Sequence, residues 1–171
     1  MIITADIFEA YLKCPSKCWF RFQAEEAPGN PYSLWAEKQT NLYREKALKR
    51  ILDNIGGNDF ISSPAQPLNI KKANWRLAAD FVARKDNLEV HIPAVERLSS
   101  EGKPVQFIPI RFTFNNKLTK RDKLTLAFDS LVLSEAFRHE IVHGQIFYGD
   151  GFSRSKVKIQ PLIREVRKVN N

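Results

Sequence analysis

The spacing of the apolar residues changes period twice along this chain, and that change limits the fold more than any single motif. Residues 75 to 114 have strand character. "WRLAADFVAR" (75–84) and "LEVHIPAVERL" (88–98) are β-branched and alternating, with the turn "KDN" between them. "SSEGKP" (99–104) leads into "VQFIPIRFTF" (105–114), the strongest strand signal. Its interior Pro109 predicts an edge strand or a bulge. Before this block the spacing is helical. In "TADIFEAYLK" (4–13) Thr4 can cap the helix, and Ile7, Phe8, Tyr11 and Leu12 form one apolar face. Pro15 interrupts and can restart a helix as its first residue. "APGNP" (27–31) reads as a turn, followed by a long helix from about Ser33 to Asn54 that Gly56 and Gly57 end. After the block, helical spacing returns at Thr119, with Leu124, Ala127, Phe128, Leu131 and Val132 in register. "IVHGQIFYG" (141–149) and "KVKIQ" (156–160) predict a closing hairpin, and "PLIREVRK" a short basic helix opened by Pro161. This order predicts one α/β domain over residues 1–171, with a helical part at 1–57 and a sheet-containing core at 75–171. The sheet is expected to be mixed, with four or five strands flanked by helices.

A length of 171 residues suits one hydrophobic core. No apolar run approaches the ~20 residues that span a bilayer, and "MIITADIFEAYLK" lacks the basic and apolar regions of a signal peptide. The expectation is a soluble cytoplasmic protein with no membrane partner. The charge points further. Lys and Arg number 27 against 19 Asp and Glu, a net +8, with a pI near 9.6. Such a balance fits a polyanion partner, and nucleic acid is the commonest.

Several constellations could carry chemistry. Cys14 and Cys18 lie four apart, on one helical face, and could share a metal. Zinc or an iron–sulfur cluster needs four ligands, and the chain has no third cysteine. The alternative is a pair of small buried residues beside Tyr11 and Trp19. Lys13, Lys17, Trp19, Arg21 and Phe22 interleave cations with aromatic rings, which suits phosphate pairing and base stacking and equally suits an amphipathic helix. "TKRDK" (119–123) places Lys120, Arg121 and Lys123 at a helix start, where anions bind, although such runs usually form a solvated face. Lys156 and Lys158 share one face of a strand. A metal-dependent phosphodiesterase needs carboxylates from neighbouring strands and a nearby Lys. The strand acids are Asp80, Glu89 and Glu96; "VQFIPIRF" has none, and carries Pro109 and Arg111 where an acid and a lysine two apart would serve. Arginine cannot deprotonate to act as a base.

The order of these segments resembles the RecB-like branch of the PD-(D/E)XK nucleases, in particular the CRISPR-adaptation exonucleases and stand-alone RecB-like nucleases. "ITADIFEAYLKCPSKCWFRF" looks like that branch's first helix with its "CP" dipeptide. "LTKRDKLTLAFDSLVLSE" looks like the helix after the catalytic strand. "RHEIVHGQIFYG" with "SRSKVKIQPLIREVRK" looks like the closing hairpin and basic helix. The resemblance implies a restriction-endonuclease-like core, hydrolysis of DNA with Mg or Mn, and in many members an iron–sulfur cluster. The departures fall on the chemistry. Pro93 stands where the family has a metal-binding Asp, Pro109 and Arg111 stand for Glu-x-Lys, and Thr125 and Asp129 stand for Gln and Tyr. Cys14 matches the first cluster cysteine, but no later ones follow, so a cluster would need ligands from a longer chain.

The leading expectation is therefore a nucleic-acid-binding domain of this type, with cleavage impaired or lost and Glu96 and Arg111 at a degenerate centre. Lys13, Lys17, Arg21, Lys120, Arg121, Lys123, Lys156 and Lys158 would meet the nucleic acid, most simply DNA. Two alternatives stay open. One is an active Mg- or Mn-dependent nuclease with Asp80, Glu89 and Glu96 as metal ligands and Lys103 or Arg111 as cationic helper. The other is a scaffold for a protein partner on an inactive nuclease fold.

Overall fold

The computed structural model describes residues 2–22, 31–55, 59–64 and 73–170. In chain order the elements are β1 (Ile3–Thr4), α1 (Ala5–Lys13), α2 (Pro15–Phe22), α3 (Pro31–Ile55), β2 (Phe60–Ser62), β3 (Leu77–Lys85), β4 (Leu88–Leu98), β5 (Gln106–Thr113), α4 (Lys120–Phe137), β6 (His143–Tyr148), β7 (Ser153–Lys158) and α5 (Gln160–Asn170). The expected glycine stop at Gly56 and Gly57, and most of the 27–31 turn, lie outside the described residues. Among the described residues no helix is long and apolar enough to cross a membrane.

The strands form one mixed, open sheet in the order β2-β3-β4-β5-β6-β7, with β1 added on β4. That makes seven strands, where the sequence predicts four or five. The two extra strands are two and three residues long, too short to show a period. β4 runs antiparallel to both β3 and β5. β5 and β6 are parallel, and α4 crosses between them. The order places β5 in the interior, so the edge expected from Pro109 is not found. Pro109 pairs with Val95 on β4, while the ladder to β6 begins one residue later at Ile110. On the β6 side the proline thus precedes the ladder and interrupts none of it.

Helices cover both faces. Phe8 of α1, Leu126, Phe128 and Val132 of α4, and Val166 of α5 share one core with Phe81, Val90, Ile92, Phe107, Ile146 and Val157 of the sheet. The rings of Phe8 and Phe128 stack at 4.6 Å. Tyr43 and Ala47 of α3 close the other face over Leu77, Ala94, Ile110 and Phe112. The facing pattern slips once. Ala78 and Phe81 of β3 share a core, as do Ile92 and Val95 of β4, although three residues separate each pair. The slip falls at one level in both strands, where the ladder omits the Asp80–Pro93 step. Asp80 has φ of +52° there, a conformation Asp tolerates better than most residues, and Pro93 has no N–H to give. Beyond the slip, Glu96 lies on the α3 side, two residues from Ala94.

α4 is buried almost throughout, from Leu124 to Leu133. Its start is fixed by a reciprocal cap. Thr119 Oγ1 accepts from the Asp122 amide at 3.2 Å, and Asp122 accepts from the Thr119 amide at 2.7 Å. This cap sets the level at which Arg121, Thr125 and Asp129 emerge beside β5.

Candidate nucleic-acid interface

Phe107 of β5 faces the α4 core. The alternation of a strand therefore sends Arg111, four residues on, to the same side. It meets Asp129 of α4, whose side chain has 0% exposure. The guanidinium is bidentate: Nε donates to Asp129 Oδ2, and Nη2 donates to Oδ1 at 3.0 Å. Burial pushes the Asp129 carboxyl up against the pull of Arg111. Burial acts to lower Arg111, but the charge and hydrogen bonds of Asp129 together with the charges of Glu9 and Asp6 hold the guanidinium above its ordinary value.

Arg111, with Asp129 fully buried beside it, lines a cleft of ≈ 380 Å³ together with Glu9, Lys13, Thr40, Arg121, Asp122 and Thr125. Glu9 and Lys13 are bonded to each other at 2.7 Å, one turn apart on α1. Burial pushes the Glu9 carboxyl up, but Lys13, Arg111 and Arg121 together hold it below its usual range. Thr125 Oγ1 is turned back to the Arg121 carbonyl at 3.0 Å. The cleft thus presents Arg121, a Glu9-bound Lys13 and the neutralised Arg111, with the one further acid among the described residues, Asp122, held in the Thr119 cap, a surface that an anion can contact.

The three candidate metal ligands are not gathered in one place. Asp80 pairs with Arg44 of α3. Glu89 pairs with Arg84 and with His91 Nε2 at 3.1 Å. Burial would raise the Glu89 carboxyl, but those hydrogen bonds lower it overall. Glu96 accepts from Arg154 Nη2 at 3.3 Å. Glu89 and Glu96 sit seven residues apart on one strand, about 23 Å at the strand rise, so one ion cannot reach both. Among the described residues no three His, Cys, Asp or Glu side chains form a metal-ligand group. Lys103, the other proposed helper, is exposed on the turn before β5. Glu96 and Arg111, expected at one centre, lie on opposite faces of the sheet.

The expected basic set divides likewise. Lys13 and Arg121 line the cleft. Lys120 pairs with Glu165 of α5 at 2.7 Å, and Lys123 is exposed. Lys156 and Lys158 are exposed and flank Val157, which faces the α4 core, so both point to the α3 side. The side chains of Lys17 and Arg21 lie outside those described. Cys18 is buried as expected of a small core residue, whereas Cys14 is exposed.

The α3 side holds a second cavity, of ≈ 280 Å³, lined by Arg50 and Asn54 of α3, Arg76, Glu96, Phe147 and Arg154 among others. Sequence reasoning passes over Arg50, which sits among Arg44, Lys46 and Lys49 on a helix that reads as a solvated face, and over Arg76, which shares no charge pattern with it. Asp129 was visible as a departure from a family pattern. Its sharper signal is an acid inside the apolar run "LTLAFDSLVL", where only a partnered charge can be buried. No family model matches this chain, and no curated protein sequence matches it.

Proposed function

We propose that this domain binds nucleic acid, most simply DNA, on a RecB-like PD-(D/E)XK framework whose hydrolytic centre is replaced by the Arg111–Asp129 pair. The order of elements supports the framework: a strand β5 at the position of the catalytic strand, then α4, the β6–β7 hairpin and the basic helix α5. The single observation that carries the loss of chemistry is the buried bidentate pair. β5 carries Pro109 where hydrolysis would need a carboxylate, and where it would need a lysine it carries Arg111, a fixed cation locked on Asp129 that repels the metal ion that would activate water. The guanidinium cannot act as a base in its place. The net charge of +8 and the cations at the cleft supply the attraction for phosphates.

The test is incubation of end-labelled single-stranded and duplex DNA with the purified protein in manganese, magnesium or EDTA, read by gel for both retardation and shortening. The expected result is retardation with no metal-dependent shortening. Metal-dependent cleavage that Glu96→Ala abolishes would overturn the proposal.

A further inference from the structure

We infer that the cavity on the α3 side is a second nucleic-acid site, one that takes a phosphate-bearing nucleotide unit of a single strand whose backbone continues along β7. This rests on the proposed nucleic-acid function and names a surface apart from the Arg111 cleft.

Charge is the first support. Arg50, Arg76 and Arg154 converge on the cavity, and among the described residues Glu96 is the one acid in its lining. Arg154 neutralises Glu96. Among the described residues no carboxylate pairs with Arg50 or Arg76. Two cations thus face a concave space without compensation, from elements far apart in sequence. A solvated helix face does not produce such convergence, whereas a phosphate site requires it.

The second support is preorganisation. Arg154 Nε donates to Gln145 Oε1 at 2.7 Å, which with the Glu96 bond fixes the fork. The Arg50 guanidinium lies 4.2 Å above the Phe152 ring, and that ring stacks on Tyr43 at 4.7 Å. Arg154 lies over Phe147 at 5.5 Å. Flat guanidinium and aromatic planes held this way suit stacking of an unpaired base. The ≈ 280 Å³ of space falls just under the ~300 Å³ lower end of small-ligand sites. It has room for one splayed base and none for a stacked duplex.

The third support is direction. Arg154, Lys156 and Lys158 alternate along β7 on this same face and extend about 13 Å from the cavity. Lysines on an edge strand also discourage pairing with other chains. That role leaves Arg50 and Arg76, which come from α3 and the segment before β3, without explanation.

The experiment is fluorescence anisotropy of a labelled oligothymidine dodecamer, single-stranded or paired with oligoadenosine, at 50 to 200 mM salt. Three proteins are compared with wild type: Arg50→Gln/Arg76→Gln, Lys156→Gln/Lys158→Gln, and Lys13→Gln/Arg121→Gln. All of these side chains except Arg121 are exposed or half-exposed, and circular dichroism melts confirm folding. The expected result is at least a tenfold loss of single-strand affinity in the first variant. The slope of log K against log salt should flatten by about 1.4, two phosphate contacts at ~0.7 each for single strands. The second variant should flatten it comparably. Wild type that binds with both α3-side variants unchanged, and with only the Lys13/Arg121 variant impaired, would overturn this inference and leave the proposed function standing. Equal losses on single strand and duplex would overturn the single-strand assignment. No binding by wild type would overturn both.

Discussion

Removing one partner of the Arg111–Asp129 pair should reveal an asymmetry that the burial of the two groups dictates. Asp129 has 0% side-chain exposure and Arg111 22%. Breaking a buried pair by deleting one side typically costs 3–5 kcal/mol, because a charge is left uncompensated. In Asp129→Ala the freed guanidinium can turn towards the cleft and its water, so a loss near the lower end, about 3 kcal/mol, is expected. In Arg111→Met the orphan is a carboxylate with no route to solvent, and about 4–5 kcal/mol should be lost at pH 7. The pH dependence should separate the variants further. Without Arg111, burial together with the charges of Asp6 and Glu9 holds Asp129 above its unfolded value. A raised carboxyl favours the fold at low pH and penalises it as pH rises, so Arg111→Met should regain stability relative to wild type between pH 7 and pH 5. Asp129→Ala should not. Replacing both, as Arg111→Met/Asp129→Leu, should be near neutral or stabilising, since no buried charge remains. Urea unfolding read by tryptophan fluorescence measures this. At a slope of ~2 kcal/mol/M the midpoints should fall by about 1.5 M for Asp129→Ala and about 2 M or more for Arg111→Met. Single variants within 0.5 kcal/mol of wild type, or a double variant worse than either single, would refute the reasoning.

Three further outcomes follow from the packing. Gly144→Ala would place a methyl 2.9 Å from the fully buried Leu126 side chain, and should cost about 1–3 kcal/mol by crowding in the same urea assay. Thr119→Ala removes the Oγ1 half of the α4 cap while the residue-119 amide can still donate to Asp122, and should cost about 1 kcal/mol, with earlier amide exchange in the first turn of α4 as the local readout. Burial pushes the Tyr43 hydroxyl up to about 12. An alkaline absorbance titration should therefore show one late tyrosine that Tyr43→Phe deletes. Because the folded value is the higher one, the stability it contributes is present below pH ~10 and lost as pH rises towards 12.

The long elements were legible because their periods are long. β3, β4, β5, α4 and β6 fall where alternation and the apolar spacing predict them, whereas β7 starts three residues before the expected Lys156, and Gln160, expected in that strand, opens α5. β1 and β2 escaped because two or three residues carry no period. Pro109 misled for a physical reason: a proline tells where a ladder lacks a donor, and a strand bonded to β4 on one side before β6 joins at Ile110 satisfies that inside a sheet. The site was legible in part. Arg111 stood out as a cation inside an apolar strand, and Lys13 and Arg121 do line the cleft with it. Glu96 also stood out, but the slip at Asp80 and Pro93 decides which face it takes, and no sequence period reveals that slip. Arg50, Arg76 and Arg154 come together only through the fold, because α3, the segment before β3 and the edge strand β7 share no local pattern.

The most direct test of the central claim is the salt dependence of single-strand binding by the wild-type protein, by anisotropy at 50, 100 and 200 mM salt in EDTA. Four phosphate contacts, from Arg50, Arg76, Lys156 and Lys158, predict that log K falls linearly with log salt at a slope of about −3. Binding that is absent, or indifferent to salt across that range, would contradict the account.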